Sequence, residues 1–140
     1  MTHFIDPNDY DATTHREIID ALTRGDDAIL DICEDRAIEE MKSYLSGRYD
    51  VEALFNARDS ERHPLVLMMC LDISTYHVYS LGDPRKLSNS NKKERYERAV
   101  EWLKGVQKGN VSINGAPLLE EEARTREFLY RSNPKRVTHF

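Results

Sequence analysis

The stretch Leu65-Val-Leu-Met-Met-Cys-Leu-Asp-Ile-Ser-Thr-Tyr-His-Val-Tyr-Ser-Leu81 decides how the rest of the chain must fold. Its first nine residues, Leu65 to Ile73, are apolar nearly all round, and only Asp72 interrupts them. Length and a Leu- and Met-rich composition favour helix over strand. A helix without a polar face has to be surrounded, so this one is predicted to lie at the centre of the domain. Pro64 fits its first turn, Ser60 or His63 can cap it, and Gly82-Asp83-Pro84 ends it. The longest unbroken apolar run, Pro64 to Leu71, is too short to cross a bilayer.

The flanking segments supply what would surround it. Asp26 reads as an N-cap, and Leu30, Cys33, Ala37, Met41, Tyr44 and Leu45 follow at steps of three and four, forming one apolar face. Asp31, Glu34, Asp35, Glu39 and Lys42 fall mostly on the opposite, solvated face. Ile18, Ile19 and Leu22 mark an earlier amphipathic helix ending near Arg24-Gly25. Asp6 and Pro7 start a short turn before it, and Val51, Leu54 and Phe55 suggest another after Gly47. Residues Asp83 to Asn91 read as a polar loop. Asn91 with Glu94 three residues on matches a capping box, opening a helix with Tyr96, Ala99, Val100, Leu103 and Val106 inside and Trp102 on the edge. Gly109 closes it, Val111 to Ile113 forms a short extended piece, and Asn114-Gly115 turns. The fold expected is an all-α bundle of four to five helices. The main ones lie near 13–24, 26–46, 62–82 and 91–108, in a bundle domain over residues 1–114. Residues 115–140 form an extension, with a short helix over Leu118 to Phe128 and an arm from Arg131.

A chain of 140 residues fits one domain, and 39% hydrophobic residues suffice for one modest core. Cys33 and Cys70 form no CxxC and read as buried free thiols. Met1 to Tyr10 has neither the basic start nor the apolar run of a signal peptide. The net charge of -5 is unevenly spread: residues 1–61 carry 16 acids and 6 bases, and residues 62–140 carry 9 acids and 14 bases. Such halves either pack on each other or draw copies of the chain together head to tail.

No catalytic constellation stands out. His3, His15, His63, His77 and His139 form no HExxH and lie outside metal spacing of either cysteine, and no phosphate loop or nucleophile elbow is present. The chain is therefore expected to be no enzyme and to need no cofactor or metal. Asp72 is the odd residue, because a buried carboxylate must be paired or protonated. Arg48, embedded like Asp72 in an apolar motif, is the expected structural partner. Lys92, Lys93, Arg95 and Arg98 read as a solvated basic helix start interleaved with Glu94, Glu97 and Glu101. Basic residues there oppose the helix dipole, which also makes an acidic neighbour reasonable.

Three segments carry a family resemblance: Tyr44-Leu-Ser-Gly-Arg-Tyr-Asp50, Cys70-Leu-Asp-Ile-Ser-Thr-Tyr76, and Arg95-Tyr-Glu-Arg-Ala-Val-Glu-Trp-Leu103 with Gly109-Asn-Val-Ser-Ile113. In order and spacing, over residues 4–114, the chain resembles the Mu-like phage family of small helical proteins. That family is similar in turn to the head-completion, or adaptor, proteins of tailed phages. The resemblance implies a virion protein that joins head to tail. It would form a ring of about a dozen copies below the portal, assembled in the host cytoplasm, with itself, the portal protein and tail-side connectors as partners. DNA would pass nearby without sequence-specific binding. The rival expectation is a small helical DNA-binding or regulatory protein of phage origin. Arg131, Pro134, Lys135, Arg136, Val137 and Phe140, in an arm with no helical period, are expected to contact a neighbouring subunit or partner.

Overall fold

The computed structural model describes residues 4–12, 14 and 16–120. Six α-helices follow in order among them: α1 (Arg16–Thr23), α2 (Asp27–Leu45), α3 (Val51–Asn56), α4 (Pro64–Gly82), α5 (Pro84–Ser88) and α6 (Lys92–Lys108). Two 3₁₀ turns, Pro7–Ala12 and Asp59–Glu61, precede α1 and α4. The only β-pairing among the described residues is one antiparallel bridge, Tyr49 to Leu118. Val111 to Ile113 forms no extended pair. Ile113 is instead buried, and its N–H donates to the Tyr49 hydroxyl at 2.8 Å.

The domain is an all-α bundle with α4 at its centre, packed against α1, α2, α5 and α6. Ten of its residues are buried, including Val66, Cys70, Ile73 and Val78. Its length and apolarity would suffice for a membrane span by composition alone. Burial within the bundle accounts for that apolarity. His63 is the cap, its Nδ1 accepting from the Val66 N–H. At the far end, a Cβ on Gly82 would come within 2.9 Å of the Leu22 side chain and carbonyl, so the missing side chain lets α1 lie on α4.

Several local expectations are corrected. The segment after Gly82 is helical over Pro84–Ser88, because Asp83 accepts from the Arg85 and Lys86 N–H groups and Pro84 opens the turn. Asn91 stands at the N-cap of α6 but makes no side-chain capping bond, and Ser90 Oγ accepts from Lys92 N–H instead. Asp6 does not cap with its carboxylate. Its N–H donates to Asp9, which is held by Arg62. That Arg62–Asp9 pair ties the basic half of the chain to the acidic half. Both cysteines are free and buried. Residues 117–119 return to 48–50, with the Asp50 N–H donating to Pro117 O and the Leu119 N–H to Arg48 O. Most of the expected helix from Leu118 to Phe128 lies outside the described residues.

Candidate functional site

Polar side chains cross two buried faces of α4. Toward α6, Asp72 is 1% exposed. Arg95 Nε lies 3.0 Å from its Oδ1, and Arg98 Nη2 donates to its Oδ2 at 3.3 Å. The Arg95 contact is an ion pair without hydrogen-bond alignment, which leaves Oδ1 short of a donor. Burial pushes the Asp72 carboxyl above the usual carboxylate range, while Arg95, Arg98 and Lys92 pull it down. Lys92 is itself buried and sits over the Tyr79 ring. The start of α6 is therefore not a simple solvated face: Arg95 and Arg98 turn onto Asp72, which also offsets the cost of basic residues at a helix N-terminus.

Arg48 does not pair with Asp72, contrary to the sequence expectation. Its Nη1 donates to Val106 O at 3.2 Å, at the other end of α6. The last carbonyls of a helix lack intrahelical donors and carry partial negative charge, so a cation just past the end of α2 finds a partner there. Gly109, with φ +87° as the C-cap of α6, would place a Cβ 3.6 Å from this guanidinium. Arg48, Tyr49 and Asp50 thus fasten the chain after α6 to the end of α2.

Toward α2, the Tyr10 hydroxyl donates to Glu34 Oε2 at 2.8 Å and lies 2.8 Å from Ser74 Oγ, which is left to donate to it. Glu34 was expected on the solvated face of α2 but is 6% exposed. Burial, above all, pushes its carboxyl up to about 7, against the opposing pull of the Tyr10 hydrogen bond. Burial and the Glu34 charge push the Tyr10 phenol and the neighbouring Cys70 thiol up as well. The sequence carried a signal for Glu34, which stands three and seven positions before the buried Ala37 and Met41. Five acids in the same helix hid it. Nearer α6, Tyr96 donates to Glu40 Oε1 at 3.0 Å and stacks on Tyr76 with ring centroids 4.0 Å apart.

Of the grooves among the described residues, the two of greatest volume flank α2. One, of about 460 Å³, lies between α2, α3 and the N-terminal residues, where Phe4, Ile38 and Phe55 meet Asp35 and Glu39. Its two bases are engaged: Lys42 pairs with Glu39 and Glu52, and Arg58 donates to backbone carbonyls. The other, of about 370 Å³, lies between α1, α2 and α4; Leu22, Ile29, Ile32 and Leu81 line it with Arg24 and Arg36, and no carboxylate does. Among the described residues, no group of three or more His, Cys, Asp or Glu is placed to hold a metal ion.

The family described as Bacteriophage Mu, Gp36 matches residues 4–131. The chain belongs to this family. No curated protein and no solved structure matches it. Gp36 membership identifies the chain as a phage protein. The Gp36 match takes in all three motif segments, both polar contacts of α4 and both grooves, and it runs past Asn114 as far as Arg131. Of the residues expected to contact partners, Pro134, Lys135, Arg136, Val137 and Phe140 fall beyond the Gp36 match. These five and Arg131 lie outside the described residues.

Proposed function

We propose that this Gp36-family chain is a structural virion protein, a head–tail connector subunit that assembles with copies of itself into a ring below the portal. The observation that carries the reading is the Gp36 match over residues 4–131. The similarity of the Mu-like family to head-completion proteins supplies the specific role. The way polar residues are used is in keeping with it. Asp72, Glu34, Arg48 and Arg95 each tie one helix or segment to another, a use that suits a subunit whose work is to hold its shape in an assembly. The work proposed is assembly, with no catalysis and no cofactor. The arm, through Arg131, Lys135, Arg136, Val137 and Phe140, would reach an acidic neighbour or the portal.

Deleting the gene from its phage tests the role. The expected result is filled heads and free tails that fail to join. Infectious particles at undiminished yield would overturn it. Removing residues 131–140 should leave the melting temperature nearly unchanged and weaken ring formation or docking to the portal; assembly equal to that of the full chain at low and high salt would show the arm to be dispensable. A strongly salt-dependent shift of duplex DNA by the purified protein would favour the DNA-binding alternative instead.

A further inference from the structure

The two grooves beside α2 differ in the way two halves of a contact would. Ile32 is 48% exposed and Leu81 56% exposed, and both stand at the Arg24–Arg36 groove. Large apolar side chains gathered on a small domain beside a pocket mark an interaction surface. Two arginines and no carboxylate line that groove, in a half of the chain that carries ten more acids than bases. The other groove offers the complement. Half-buried Ile38 lies along it above the buried Phe55, Asp35 and Glu39 stand exposed at its rim, and Lys42, one of its two bases, pairs with Glu39 and Glu52. By helical rotation of 100° per residue, Ile29, Ile32 and Arg36 centre on one flank of α2 and Asp35, Ile38 and Lys42 on another, with Glu39 between the two. One molecule therefore has both surfaces free at once.

We propose that these two surfaces bind each other between copies of the chain. Ile32 and Leu81 of one copy seat against Ile38 of the next, and Arg24 and Arg36 meet Asp35 and Glu39, with Glu39 released from Lys42. That the partner is a second copy rests on the ring assembly proposed above. The contact uses different patches on the two copies, so it is heterologous: repeated, it builds a ring where the rotation closes and an open chain where it does not. Opposite charges at its rim set register and speed encounter, while the apolar side chains at its centre hold it.

Complementary charge reversal in the full chain tests the contact. The Arg24→Glu/Arg36→Glu chain keeps a working acidic groove, and the Asp35→Lys/Glu39→Lys chain keeps a working basic one. All four positions are exposed, so both variants should fold, as circular dichroism and melting would show. Sedimentation at low salt should find higher assemblies for the natural chain and monomers for each variant, with apparent dissociation constants raised about tenfold or more. A mixture of the two variants should restore the higher assemblies, because the natural surfaces that remain are complementary and the two reversed surfaces are complementary to each other as well. Assemblies undiminished by either reversal would overturn the contact and leave the ring standing. A natural chain that remains monomeric and yields no cross-link between copies would also overturn it. The connector role would then still be read from the deletion phenotype. A mixture of variants that stays monomeric would refute the pairing of these two surfaces.

Discussion

Asp72 and Glu34 are both carboxylates buried against α4, and the two faces of that helix accommodate them differently. On the α6 side, Asp72 meets two arginines and a nearby lysine. On the α2 side, among the described residues, Glu34 meets only the hydroxyl of Tyr10, backed by Ser74. Burial raises both groups. The cations hold Asp72 back, whereas one neutral donor leaves Glu34 near 7. The difference teaches that cations beside a buried carboxylate work against the rise that burial causes. Where the partner is a hydroxyl, the group is poised to take up a proton at neutral pH.

The largest test of the comparison places a carboxylate on α4 with neither kind of partner. Leu71→Asp, next to Asp72 and itself buried, should cost about 5 kcal/mol or more and abolish cooperative melting. An unchanged melting temperature would show that α4 is not the core helix. Next comes removal of the cations. Arg95→Ala with Arg98→Ala should destabilise the fold by about 3–5 kcal/mol at neutral pH, because an uncompensated charge remains buried. Adding Asp72→Asn should recover part of that loss. A triple variant no more stable than the double would mean that packing by the arginine stems, not charge, carries the effect.

The Glu34 side predicts a pH dependence. Its folded value, about 7, lies above its ordinary value of 4.5. Its contribution is therefore fully present below about 4.5 and is lost as the pH rises through about 7. At about 1.4 kcal/mol for each tenfold in proton affinity, the loss comes to about 3 kcal/mol. Denaturant melts of the natural chain should weaken across that window, and Glu34→Gln should flatten the slope. The same slope in both chains would remove Glu34 as its cause. Smallest is Tyr10→Phe, which deletes the hydrogen bonds with Glu34 and Ser74 and should cost about 2 kcal/mol. Because the Tyr10 hydrogen bond lowers the Glu34 value, its loss should also move the midpoint of the pH profile upward. A midpoint that stays put or falls would break the link between the two residues.

Much of the architecture was legible before any coordinates. The all-round apolarity of Leu65 to Ile73 marked the central helix, and the steps from Leu30 to Leu45 marked the buried stripe of α2. Asp26, Pro64 and Gly109 marked ends that the fold uses. The candidate site was less legible. Asp72 was identifiable as a residue in need of a partner, but Arg48 was the wrong one. The loop-like composition of 83–91 concealed a helical turn started by Asp83 and Pro84.

Periodicity reports the angle of a residue about its own helix axis, and caps report where that axis begins and ends. The sequence by itself therefore determined the helices, their ends, the core helix and, through its motifs, the phage family. Which arginine meets Asp72, which hydroxyl meets Glu34 and which exposed side chains gather into grooves depend on how separate helices are rotated and placed against one another. Packing of the whole set decides that. Arg95 and Arg98 lie where α6 crosses α4, and Arg48 lies at the far end of α6, donating to a terminal carbonyl. Only the tertiary structure separates those two places.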